Sequence, residues 1–366
     1  GHQAFEFAFT SGFPWKEKRC EAFGRLAAER DIAISIKLAL KRAKVKIDDL
    51  DAIAVTYGPG LAIALEIGIK KAKELATKYS KPLIAINHME GHLLSCFARQ
   101  KKFLIPNSQF LKGKQKILKA VDSIASFPAI GFLISGGHTE LILVKGFCEY
   151  EKVGETLDDS CGEAYDKCGR MLGLGYPAGP VISEFSRNQR KNMKIEMIKR
   201  DQGILVKTTN KISGKEYFLP IPMVNSGDLN FSYSGLKTAF KELINKSMGG
   251  SKESIALPKE IIFDLCVTFE AAALAQLTFK LKKAIEIYKP MEVWLGGGVV
   301  ASARLRSEIR KICLGFSTSS QSSPHVKTRQ ASMKREVALR YPYTKKLTGD
   351  NAAMIGTAAN IRVGKF

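Results

Sequence analysis

The sequence predicts an α/β protein in two lobes, on three observations. Short apolar runs of strand length, closed by glycine, alternate with segments of helical periodicity. These runs fall into two blocks, separated by a polar, Lys-rich stretch at about 99–127. The chain has 366 residues, about two domains at the usual ~150 residues each. The expected organisation is a first lobe over 1–127 and a second over 128–345. Residues 346–366 then return to the lobe interface with an Asp-Asn turn and a closing helix.

Residues 21–47 read as an amphipathic helix, with Ala27, Ile32, Ile36, Leu40 and Val45 along one side. Asp51–Tyr57 is a strand that ends in Gly58-Pro59-Gly60 and opens a helix over Leu61–Tyr79. Lys81–Asn87 is a second strand and delivers His88 to the start of a further helix. The stretch at 99–127 reads as a surface insertion or a connection between lobes. Ala129–Ser135, the turn from Gly136 to Thr139, and Glu140–Val144 form a hairpin signal. Helices are expected at about 160–173, 178–200, 234–248 and 258–289. The strand Glu292–Leu295 runs into Gly296-Gly297-Gly298 and a helix at about 302–313. Residues 314–335, rich in Ser, Lys and Arg, read as a mobile loop. Asp350-Asn351 then caps a small-residue helix. No tandem repeat is visible.

Composition narrows the class of function. Hydrophobic residues make up 45% and charged residues 25%, ordinary for a globular protein with a large core. No run approaches the ~18 apolar residues of a membrane span, and no membrane partner is expected. Gly1-His2-Gln3-Ala4-Phe5 has no charged n-region or cleavage pattern and no initiating Met, so it reads as an added or clipped beginning. Seven cysteines without CxxC spacing argue against a disulfide framework or a Cys-based zinc site and for a reducing compartment. The outlier is charge: 57 Lys+Arg against 35 Asp+Glu gives +22. Such a field suits a polyanion held through its phosphates, most simply nucleic acid. The other reading is a generally basic proteome or salt adaptation.

Several motifs carry candidate chemistry. In His88-Met89-Glu90-Gly91-His92 two imidazoles lie four residues apart on one helix face, and a carboxylate from Asp350 would complete a two-His, one-carboxylate set. A structural His pair is the competing reading. The HExxH metalloprotease pattern requires Glu directly after the first His, and Glu90 stands one place later. Ser135-Gly136-Gly137-His138-Thr139 lets backbone N–H groups approach a phosphate or adenylate, or is a plain hairpin turn. Gly296-Gly297-Gly298 is a second candidate nucleotide turn or a packing device. Asp166, just before the Gly-Pro turn that contains Gly179, could accept bonds from ribose hydroxyls or sit on a solvated helix face.

Together these segments resemble one family. They are His88 to Leu94, Leu133 to Leu141, Gly154 to Asp159, Gly162 to Lys167, Asn230-Phe231-Ser232-Tyr233-Ser234-Gly235-Leu236-Lys237-Thr238 and Asp350 to Ile355. They occur in the order found in the TsaD family of tRNA N6-adenosine threonylcarbamoyltransferases. The resemblance runs from about 51 to 360, and the His88–Leu94 segment is similar to the bacterial or organellar branch.

The resemblance implies a two-lobed, actin-like and sugar-kinase-like (ASKHA) ATPase fold, here expected to lack the first N-terminal strand and its phosphate-contacting loop. It implies one divalent metal ion, Fe2+ or Zn2+, on His88, His92 and Asp350. Ile134, Ser135, Gly136, Gly137 and His138 would line the threonylcarbamoyl-AMP site. Asp166, Gly179 and Ser302 would hold the nucleoside, with Ser302 in place of the family's Asn, and ATP or ADP is a further candidate ligand. The implied activity is transfer of the threonylcarbamoyl group to N6 of adenosine-37 in tRNAs that read ANN codons. The expected partners are tRNA, with a TsaB-like paralogue and a TsaE-like ATPase in a bacterial setting, or a homodimer in an organellar one. The expected location is cytoplasmic, or mitochondrial if organellar. The alternatives are a non-catalytic or truncated tRNA-binding paralogue and, ranked last, an O-carbamoyltransferase.

Overall fold

The structure is a computed structural model that describes residues 21–98, 125–201, 203–248, 257–315 and 337–364. Most of the predicted insertion at 99–127 and of the predicted loop at 314–335 lies outside the described residues, as does the side chain of Ala27; Leu314 and Gly315 belong instead to the end of a helix.

The chain forms the expected mixed α/β fold. Helix α1 (Glu21–Ala43) stops short of the predicted 47, because Lys44 turns left-handed at φ 58°. Strand β1 (Ile53–Gly58) lies parallel to β2 (Leu83–Asn87), and α2 (Ala62–Lys78) makes the crossover between them. Ile32 and Ile36 of α1 pack with Ile53, Val55, Ala72, Leu75 and Ala76 in a small core of their own. The short helix α3 (His88–Leu94) follows β2 directly.

The second block is built on a five-stranded sheet. Strands β3 (Ala129–Ile134), β4 (Thr139–Gly146) and β5 (Glu149–Glu155) form an antiparallel meander. Strand β9 (Glu292–Gly296) joins the other edge of β3 in parallel, and β10 (Ala338–Arg340) extends it. Both faces are covered, and the strands alternate accordingly. Ile130, Phe132 and Ile134 face the large core, which includes α4 (Cys161–Met171), α5 (Ala178–Gln189), α6 (Ser234–Ser247), α7 (Lys259–Tyr288) and α8 (Ala303–Gly315). Ala129, Leu133, Ile142, Val144 and Trp294 face the other way, toward Leu93 and Leu94 of α3 and Met354, Ile355 and Ala358 of α9 (Ala352–Val363). The histidine helix is thus seated against the second sheet, with α9 beside it.

Two expectations are corrected. The helix expected over 178–200 ends at Gln189, and Met193–Arg200 is instead strand β6. It pairs with β7 (Gly203–Asn210), which pairs with β8 (Glu216–Pro220) in an antiparallel sheet. Met, Lys and Glu favour helix, but pairing with β7 decides here: in β7 Val206 and Thr208 are fully buried, and Thr208 meets Thr268 of α7 at 2.6 Å, hydroxyl to hydroxyl. The second correction concerns α7, which is long and apolar enough to cross a membrane by length and composition. Yet 78% of its most apolar window is buried inside the protein, and it serves as the central helix of the main core.

Candidate metal centre

The geometry starts with Asn87, the last residue of β2. Its side-chain oxygen accepts from the N–H groups of Met89 at 2.8 Å and Glu90 at 3.4 Å, capping α3. That cap starts the helix at His88, so His88 and His92 project from one side, their rings edge to face at 4.7 Å. Asp350 arrives on the turn before α9, where the Asn351 side chain accepts from Met354 N–H at 3.0 Å. Asp350 Oδ1 lies 2.9 Å from His92 Nε2 and 3.4 Å from His88 Nε2.

The two spacings to Asp350 fit donors on a common metal ion. Donors bound at about 2.1 Å to one ion, at tetrahedral or octahedral angles, stand roughly 3.0–3.4 Å apart. Among the described residues these three form the one group of metal-ligating side chains whose donor atoms converge, all within 4.8 Å. His92 is 2% exposed while the Asp350 side chain is 43% exposed, so the cluster is anchored inside and open outward. Bonds from His88 and then His92 hold the Asp350 carboxyl well below the usual carboxylate range, keeping it an anionic donor.

The Ser135–His138 turn stands beside this cluster. Ser135 N–H donates to His138 O at 2.8 Å, and Ser135 Oγ accepts from the N–H groups of His138 at 3.0 Å and Gly137 at 3.3 Å. Two of the backbone donors expected to face an anion are therefore engaged by the turn's own serine. Burial, then the neighbouring His88 and His92, lowers the His138 pKa, so that ring is neutral near pH 7.

The start of α4 docks on the same turn. Ser160 caps α4 and donates its hydroxyl to Gly136 O at 2.7 Å, while Gly162 N–H donates to Ser135 O at 3.2 Å. A Cβ on Gly162 would sit 2.7 Å from Gly136 Cα, so only glycine fits. The Gly296–Gly298 triplet does related work. A Cβ on Gly296 would lie 2.3 Å from His92 O, and one on Gly297 would lie 2.4 Å from Ile134 O. These two glycines let β9 approach the histidine helix and the end of β3 together, which is the packing reading.

Asp166 and Gly179 are neighbours in space. Asp166 Oδ1 accepts from Ala178 N–H at 2.8 Å and so fixes the start of α5, where Gly179 lies 3.8 Å, Cβ position to Cβ, from Tyr165. Ser302 Oγ accepts from Leu305 N–H at 3.3 Å and caps α8. Both Asp166 and Ser302 thus hold helix starts with one acceptor.

Other motif residues converge behind the turn. Asp158 accepts from Tyr233 N–H at 2.7 Å, Ser234 Oγ at 2.8 Å and Ser232 Oγ at 2.5 Å, joining the Gly154–Asp159 segment to Asn230–Thr238. Asp159 pairs with Lys167 and Lys237. The residue missed by sequence reasoning is Glu90, taken only as the wrong spacing for a protease. It is 4% exposed, 2.6 Å from Arg362 Nη2, and accepts from the Tyr150 hydroxyl at 3.1 Å. A carboxylate midway between two ligands on a seven-residue helix was the available signal.

The model of the TsaD family, tRNA N6-adenosine threonylcarbamoyltransferase, matches residues 27–117 and 114–357, nearly the whole described chain. The chain belongs to the TsaD family. A curated relative from Lactobacillus johnsonii, named tRNA N6-adenosine threonylcarbamoyltransferase, is 37% identical over 90% of this chain and 76% of its own length. One of the same name from Streptococcus thermophilus is 36% identical over 91% of this chain and 77% of its own. Among solved structures, full-length HypF in its phosphate- and nucleotide-bound form aligns over 91% of this chain and 41% of its own. Its TM-score is 0.48 at 12% identity, a likeness too loose to bear on the chemistry.

Proposed function

We propose that this TsaD-family chain transfers a threonylcarbamoyl group from its mixed anhydride with AMP to N6 of adenosine-37 in tRNAs that read ANN codons. The observation that carries the reading is the convergence of His88, His92 and Asp350 beside the Ser135–His138 turn. His88, His92 and Asp350 would hold one divalent ion, Fe2+ or Zn2+, which when bound supplies Lewis-acid polarisation of the carbamoyl carbonyl.

The chain's own residues orient the reactants on what we take to be a two-lobed, actin-like scaffold. Ile134 to His138 line the acyl-adenylate, with the turn held rigid by Ser135 and by α4. The second oxygen of Asp166 takes the ribose hydroxyls, since the first accepts from Ala178 N–H. Ser302, already an acceptor for Leu305 N–H, keeps its hydroxyl proton to donate to the nucleoside. In the reaction the N6 lone pair forms the new C–N bond, the bond from the acyl carbon to the phosphate oxygen breaks, and AMP and a proton leave. The +22 charge suits the tRNA backbone, and the reacting base must be splayed from its loop. ATP or ADP fits the same nucleoside side. A TsaB-like paralogue and a TsaE-like ATPase are the proposed partners in a bacterial cytoplasm.

Incubation with tRNA, threonylcarbamoyl-AMP and those partners should yield modified adenosine by mass spectrometry of the digested tRNA. Absence of product would refute the reading. The non-catalytic alternative predicts tRNA binding without metal binding, and the ligand convergence speaks against it.

A further inference from the structure

The three candidate ligands come from two elements that meet only in the folded chain. His88 and His92 are on α3, and Asp350 precedes α9. The two helices touch closely: a Cβ on Gly91 would lie 2.7 Å from Ile355 Cδ1 and 3.4 Å from Met354 Cγ. Close packing alone leaves slide and rotation to be set, and apolar contacts set them weakly because they lack direction.

A half-buried ion pair, with the hydrogen bonds of its two partners, supplies further restraint. Glu90 Oε2 is 2.6 Å from Arg362 Nη2, and the carboxylate's other oxygen accepts from the Tyr150 hydroxyl at 3.1 Å. Burial, then the Glu90 carboxylate, pushes the Tyr150 phenol well up, so it remains a donor. Arg362 also donates from Nη1 to Ala85 O at 3.1 Å, on β2 just ahead of His88. Arg362 is near the last turn of α9, a helix of 12 residues or roughly 18 Å. Asp350 stands before its first turn. Helix α9 is thus held to the α3 region at both ends, by Asp350 against the histidines and by Arg362 against Glu90 and Ala85. The guanidinium donates to a carbonyl and lies in ion-pair contact with a carboxylate, and the two contacts together limit how far α9 can slide along α3.

We infer that Glu90, through Arg362 and Tyr150, is a positioning residue that sets the spacing of His88 and His92 from Asp350 and thereby the metal affinity of the centre. The inference rests on the metal reading above. Removing a partner that orients ligands without touching the metal typically costs about 10–100-fold in metal affinity. A residue that merely stabilises the fold would lower the melting temperature and leave the affinity of the folded protein alone.

The test measures Co2+ affinity of the full chain by chelator competition, together with the Co2+ d–d absorption spectrum, which reports ligand geometry. Glu90→Gln, nearly isosteric and still able to accept from Tyr150, should bind Co2+ about 10–100-fold more weakly, with a shifted spectrum. Arg362→Gln should do the same, and the double variant should lose no more than the worse single, because the pair acts as one unit. Arg362→Lys, a milder change, should fall between, and serves if a Gln variant fails to fold. Unchanged Co2+ affinity and spectrum in folded Glu90→Gln or Arg362→Lys, with only the melting temperature lowered, would overturn the inference and leave the metal reading intact. Failure of the unaltered chain to bind Co2+ would overturn both.

Discussion

Asp350 Oδ1 stands 2.9 Å from Nε2 of His92, a residue 258 positions earlier in the chain. The contact joins the turn before α9 to a helix that packs on the second sheet, and it closes the donor triangle with His88. Removing any one donor leaves two, too few to hold a labile divalent ion firmly. Asp350→Ala and His92→Ala should therefore each lower metal affinity on the order of 100-fold or more, more than any change around Glu90. Metal content after dialysis, measured by elemental analysis, checks this.

The glycines separate packing from binding. Gly296→Ala would place a methyl 2.3 Å from a backbone carbonyl that has nowhere to go, His92 O. Gly137→Ala meets nothing within 4 Å. Overpacking costs about 1–3 kcal/mol or more, so Gly296→Ala should lie at or above that range and Gly137→Ala below about 1 kcal/mol. If the turn takes the acyl-adenylate as proposed, Gly137→Ala should nonetheless raise the KM for threonylcarbamoyl-AMP, because it adds a methyl there. Denaturant melts and initial rates distinguish the two effects.

Beside Asp228 and Asp350, which are also held low, Asp158 and Asp159 should contribute to acid sensitivity. Burial alone would raise both carboxyls, but Ser232, Tyr233 N–H and Ser234 override it at Asp158, and Lys167 and Lys237 do so at Asp159, so both are held low. A folded-state pKa below the unfolded value of about 3.9 means that the stabilisation is complete above that pH and is lost as pH falls through the folded value. Asp159→Asn should cost about 1–3 kcal/mol at pH 7 and flatten the loss of stability below pH ~4. Urea titrations from pH 7 to 3 check the slope.

The two capping residues of the proposed nucleoside side give a smaller, graded effect. Ser302→Ala loses the acceptor for Leu305 N–H and should cost roughly 0.5–2 kcal/mol. Asp166→Ala removes both the α5 cap and the proposed ribose acceptor, so it should weaken AMP binding as well as stability. Calorimetry with AMP separates these: a Ser302→Ala protein with unchanged AMP affinity would remove Ser302 from the nucleoside site.

Much of this architecture was legible in the sequence. The strands that run into Gly58, Gly136 and Gly296 and the capped helices at His88 and Ala352 stand where the pattern placed them. They were readable because burial on both faces demands continuous apolar runs and because caps and glycines punctuate them. The strands at 193–220 were hidden, since Met193–Arg200 has helix-favouring residues and is held as strand by pairing along its length with β7, which packs on α7. The ligand set was legible as residue types, but the Glu90–Arg362 pair was not. An ion pair between residues 90 and 362 leaves no local spacing, and a Glu near a helix start reads as ordinary charge complementarity.

The most direct test of the central claim is threonylcarbamoyl transfer to tRNA by the unaltered chain and by Asp350→Ala, with the same partners and threonylcarbamoyl-AMP, read as modified adenosine by mass spectrometry. The account predicts product from the unaltered chain and its near-complete loss in Asp350→Ala, with circular dichroism unchanged. Equal product from the two proteins would contradict it.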